Sequence, residues 1–159
     1  MTRKATHRKH WPIDRMAVYR LTGRNSQFTT AEQAEVMVAT RKSFEAMIYR
    51  TAVREDFDQL ATAVNVAVVA GERVDERVAQ ACQPALQALM RVLERHNKTG
   101  QWGLDGPAKA EIADALDIYE QVMALMTGGQ AHNAMVEVMR RMQAGHVLAT
   151  ASSATNTTL

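Results

Sequence analysis

"REDFDQLATAVNVAVVAGERV", Arg54 to Val74, is the stretch on which the fold turns. Phe57, Leu60, Ala61, Val64, Val68 and Val69 recur at helical spacing. Glu55, Asp56 and Asp58 crowd the first turns, where the positive end of a helix dipole favours carboxylates. From Leu60 to Ala70 only Thr62 and Asn65 are polar. A helix that is apolar nearly all round has to be covered on several sides, so this segment is expected at the centre of a helical assembly. Gly71 is read as a weak point near its end. Asn65 is read as the one polar side chain to be buried, either hydrogen-bonding another helix or pointing into a site.

Upstream, "TTAEQAEVMVATRKSFEAMIYR" offers two capping boxes, Thr29 with Glu32 and Thr30 with Gln33, and predicts a helix over about 31–50. Its apolar face is read as Val36, Val38, Ala39, Phe44, Met47 and Ile48. Downstream, "DERVAQACQPALQALMRVLERHNKTG" is interrupted by Pro84, which lacks a backbone N–H and clashes inside a helix. A short helix near 75–82 and a longer one from Pro84 to Asn97 follow, with a single kinked helix as the alternative. Leu86, Leu89, Met90 and Leu93 are its expected buried stripe, and Arg91, Arg95 and Lys98 a basic stripe towards its C-terminal end.

"GQWGLDGP" then reads as a stiff corner. Gly100 suits a left-handed helix end, Asp105-Gly106-Pro107 a turn into the next helix, and Trp102, assisted by Leu104, a plug between the two. The glycines have neither the spacing nor the preceding strand of a dinucleotide fingerprint, and no GxxxxGK[ST] occurs. The next helix carries Ile112, Leu116, Tyr119, Met123 and Met126 on one side and is expected to stop at Gly128-Gly129. "AHNAMVEVMRRMQAG" makes the last helix, with Met135, Val138, Met139 and Met142 inward and Gly145 as its stop.

The expectation is therefore an all-α, single-domain bundle of five or six helices over 29–147, preceded by an arm at 1–28 and followed by a disordered polar tail at 148–159. A chain of 159 residues is long enough for one core. Cys82 is the single cysteine, so no internal disulfide can form and a reducing compartment is expected. No apolar run approaches the roughly 20 residues that span a bilayer. The basic start lacks the hydrophobic stretch of a secretory signal. A cytoplasmic protein with no membrane contact is the expectation.

No constellation for bond-making stands out. His7 and His10 lie among cations, and His96, His132 and His146 are scattered. Glu111, Asp114, Asp117 and Glu120 recur every third residue, either as a cation row or, more simply, as a solvated face. Cys82 sits in an alanine-rich patch and reads as a core residue. No cofactor, metal or catalytic residue is assigned. An enzyme would need Asn65, an acid and a histidine to line one polar pocket.

The charge distribution is the sharper signal. Residues 1–28 hold seven cations (Arg3, Lys4, Arg8, Lys9, Arg15, Arg20 and Arg24) against Asp14, a balance of +6. The remainder holds 12 cations and 16 acids, a balance of −4. With Trp11 and Tyr19 interleaved, the arm could dock on an acidic protein, neutralise phosphates and stack on bases, or remain a solvated tail. The basic stripe of Arg91, Arg95 and Lys98 would extend its contact surface.

"DQLATAVNVAVVAGERV", "HNKTGQWGLDGPAKAEIADALDIYEQVM" and "AMVEVMRRM" together resemble small helical proteins of phages and integrated mobile elements in GC-rich proteobacteria. The likeness covers roughly 28–147, and its most distinctive part is the Trp-Gly-x-Asp-Gly-Pro corner. It implies an accessory function: binding a host or element-encoded protein, in its sharpest form as an anti-CRISPR-like inhibitor of a bacterial defence complex. It carries over no catalytic residue. A non-specific DNA- or RNA-binding protein is the alternative, and a homodimer through Met123, Met126, Met135, Met139 and Met142 remains open.

Overall fold

A computed structural model describes residues 26–145. Those residues form six helices: α1 (Thr30–Ile48), α2 (Arg54–Val74), α3 (Glu76–Ala81), α4 (Gln83–Thr99), α5 (Gly106–Leu125) and α6 (Gly128–Gln143). The chain is an all-α bundle, as the apolar periodicity requires. The tail at 148–159 and the arm up to residue 25 lie outside the described residues.

α2 is the axis of the bundle: it packs against each of the other five helices. Every residue from Ala63 to Gly71 is buried, as are Phe57, Leu60 and Ala61. α5 closes the core with Ala108, Ile112, Ala115, Leu116, Tyr119, Val122 and Met123. Alanines are frequent in this core, and they let helix axes approach closely where larger side chains would hold them apart.

Gly71, a weak point by helix propensity, lies inside α2, which runs on to Val74 as read from the sequence. Its hydrogen replaces a methyl where α3 crosses: a Cβ there would stand 2.9 Å from the backbone nitrogen of Ala79. The glycine is thus a close-approach residue. Asp75 ends the helix, adopting an extended conformation and capping α3 through its carboxylate. Cys82 separates α3 from α4 and places Pro84 in the first turn of α4, where its missing N–H costs nothing. The two-helix reading of this region holds, and the kinked alternative does not.

Several burial assignments shift by a fraction of a turn. In α1 the inward residues are Met37, Thr40, Ser43 and Met47, while Val38 and Ala39 face outward. α1 turns two hydroxyls inward because α2 supplies partners for them. Ser43 donates to the Asp56 carboxylate at 2.9 Å, and Thr40 accepts from Gln59 at 3.3 Å and donates to Val36 O at 3.2 Å. Asn65 is therefore not the sole buried polar residue. It lies within α2 and donates to the Ala61 carbonyl one turn back, at 2.9 Å. In α4 the stripe is Ala85, Ala88, Leu89 and Val92, leaving Met90 exposed. In α6 Ala134 and Val138 are inward and Met139 is exposed. Gly128-Gly129 does not stop α5. Met126 leaves the helix in an extended conformation, and the glycines open α6 behind the Thr127–Gln130 capping box.

Residues 26–28, counted with the arm by sequence, are tied to this last junction. Gly128 N donates to Ser26 O at 3.0 Å, Gln27 bridges Thr127, and Phe28 packs against the core. The predicted Thr29–Glu32 capping box then starts α1.

Candidate interaction surface

The corner that joins α4 to α5 is built from the inside outward. Gly100 ends α4 with φ +73, the left-handed geometry that a side chain disfavours. The chain then turns Trp102 inward, where it stays 8% exposed. The Trp102 ring lies parallel to the His96 imidazole, centroids 3.6 Å apart, and stacks on Phe57 of α2 at 4.8 Å. The plug predicted between α4 and α5 therefore reaches a third helix. Leu104 N donates to Met47 O at 3.3 Å, fastening the corner to the end of α1 as well.

Arginines clamp the outside of the same corner. Arg95 donates to Asp105 at 2.7 Å and to the Gly103 carbonyl at 3.2 Å. Asp105 in turn accepts from Ala108 N at 2.8 Å, capping α5. The backbone N–H of Ala108 first, and Arg95 and Arg91 besides, hold the Asp105 carboxyl below the usual range against the opposing cost of burial. Arg91, one turn before Arg95, pairs with Glu111 of α5. Arg91 and Arg95 thus spend their charge on the α4–α5 seam. Lys98 is exposed on the last turn of α4 and forms no ion pair among the described residues.

The row on α5 is divided in the same way. Glu111 pairs with Arg91 and Glu120 with Arg41 of α1, whereas Asp114 and Asp117 face solvent. Among the described residues no group of three or more His, Cys, Asp or Glu side chains is arranged to hold a metal ion. Cys82 is fully buried, and burial pushes its thiol up to about 11, which keeps it protonated and unreactive at neutral pH.

Arg3, Lys4, Arg8, Lys9, Trp11, Arg15, Tyr19, Arg20 and Arg24, the arm's share of the predicted contact surface, lie outside the described residues. No helix among the described residues is long and apolar enough to cross a membrane. Of the methionines read as a dimer groove, Met123 and Met126 are buried, Met135 and Met142 pack partly against the core, and Met139 is exposed. No protein-family model matches the chain, and no curated protein or solved structure is significantly similar to it.

Proposed function

We propose that the protein is a non-enzymatic interaction protein that binds another protein through the cations of residues 1–28, with the exposed Lys98 at the end of α4 as a further contact. The observation that supports this reading is the segregation of charge: seven cations and one acid in 28 residues, against a body carrying net negative charge. The field of such a charge cluster steers encounter with an acidic surface. The internal pairing of Arg91 and Arg95 leaves the arm the larger share of that field. An accessory role in a phage or mobile element, with inhibition of a host defence complex as its sharpest form, rests on the resemblance of the helical core sequence.

The test is affinity capture from a proteobacterial host with the full chain and with residues 1–24 deleted, each with and without nuclease. A protein retained after nuclease treatment, released by salt and lost with the deletion is the expected result. Retention of nucleic acid alone, released by nuclease, would replace this reading with non-specific DNA or RNA binding. Capture indifferent to the deletion would end both.

A further inference from the structure

Six of the nine described arginines (Arg41, Arg77, Arg91, Arg95, Arg140 and Arg141) are paired with carboxylates. Arg50, Arg54 and Arg73 are not, among the described residues. Arg50 sits in the five-residue turn between α1 and α2 and Arg54 is the first residue of α2, beside the most exposed large hydrophobic side chain among the described residues. Tyr49 is 74% exposed, and Val53, in the same turn, is 56% exposed.

The turn is also tied at both ends by hydrogen bonds. Thr51 N donates back to Ala46 O at 2.9 Å, closing the end of α1 around Arg50. Arg50 holds φ +59, a conformation that costs a non-glycine residue about 1 kcal/mol or more. Its side-chain stem lies over Gly103, where an added Cβ would stand 3.2 Å from Arg50 Cγ. The Asp56 carboxylate accepts from Val53 N and from Ser43, both at 2.9 Å, fixing the start of α2. Gly103, under the Arg50 stem, directly follows Trp102 of the Phe57–Trp102–His96 stack.

We infer that Tyr49, Arg50, Val53 and Arg54 form a preorganised docking surface for a protein segment that carries carboxylates beside apolar side chains. Tyrosine and arginine are the residue types that concentrate binding energy at protein interfaces, and a turn held beforehand spares the ordering cost of association. Exposed Val53 matches an apolar contact. Exposed Glu45 and Glu55 stand near the two arginines in sequence, and such acids oppose a continuous phosphate backbone more than isolated carboxylates on a protein segment. The surface adds a site on the helical body to the arm, and the two succeed or fail separately.

The experiment is a titration of the isotope-labelled full chain, followed by NMR. The probes are a helical peptide of glutamate, leucine and alanine, its glutamine counterpart, and an oligothymidylate. The acidic peptide should shift the amide signals of Tyr49 to Arg54 and the Nε–H signals of Arg50 and Arg54, and the glutamine peptide should bind at least fivefold more weakly. Tyr49→Ala or Arg54→Glu should weaken that response at least fivefold. Lys109→Glu, an equal charge change on α5, should change it less than twofold. The surface is overturned if only residues 1–25 respond, if Lys109→Glu weakens binding as much as Arg54→Glu does, or if oligothymidylate moves the turn at lower concentration than the acidic peptide. A response of the turn with none from residues 1–25 would support the surface while removing the arm from the contact.

Discussion

Trp102 and Gly71 show how much a single residue decides here. Trp102 is the joint of three helices, because its ring faces Phe57 of α2 and His96 of α4 while its own backbone leads into α5. Trp102→Ala is expected to cost about 3–5 kcal/mol, the range for emptying a buried aromatic site, read as a lower midpoint in urea unfolding. Gly71→Ala and Gly103→Ala make a contrasting pair. Alanine is intrinsically better in a helix by about 1 kcal/mol, yet at Gly71 the new methyl meets the backbone of Ala79 at 2.9 Å. Backbone cannot step aside, so a net loss of about 1–3 kcal/mol is expected. At Gly103 the methyl meets the flexible stem of Arg50 at 3.2 Å, and a loss under about 1 kcal/mol is expected by the same measurement. Equal losses at the two positions would refute the close approach of α2 and α3.

Among the elements, α6 depends most on charge. Arg141 donates to both carboxylate oxygens of Glu72 on α2 at 2.6 and 2.8 Å, and also to Glu137 a turn behind it. Glu137 accepts from Arg140 as well. Hydrogen bonds from Arg140 and Arg141 pull the Glu137 carboxyl down to about 2. A depressed carboxyl stabilises the fold above its ordinary value near 4.5, and that contribution is lost as pH falls towards 2. The group is exposed, so solvent screens the effect. The expected outcome is local: between pH 5 and 2, hydrogen-exchange protection, corrected for the intrinsic rate at each pH, falls more along α6 than in α2. Glu137→Gln should remove most of that pH dependence. At the other end of the fold, Thr29→Ala breaks the capping box of α1 and is expected to lower stability by about 1 kcal/mol.

At the scale of the whole molecule, the body and its charge answer different questions. The body is held by burial around α2, which salt leaves largely untouched. The proposed association is electrostatic and is screened within a Debye length of about 8 Å at physiological ionic strength. Raising salt from about 0.05 to 0.5 M should therefore weaken partner binding roughly tenfold or more while the thermal midpoint of the body moves by only a few degrees. Binding that is indifferent to salt would point to an apolar contact instead. The surface of the turn around Arg50 was not legible in the sequence. Tyr49 and Arg54 looked like the ordinary ends of two helices, and only the accounting of ion pairs across the fold sets Arg50 and Arg54 apart from Arg91 and Arg95.

By itself the sequence determined the all-helical class, the centrality of Arg54–Val74, the break at Pro84 and the stiff Trp102 corner. Each follows from spacing, capping chemistry or backbone restriction within a few residues. Tertiary structure alone decided which face of α1 turned inward, that Gly71 admits the close approach of α3, that Met90 and Met139 stay outside, and which arginines were consumed in pairs. Those outcomes depend on what stands opposite: a hydroxyl is buried without loss only where Asp56 or Gln59 meets it, and a charge is free only where no carboxylate arrives from another helix.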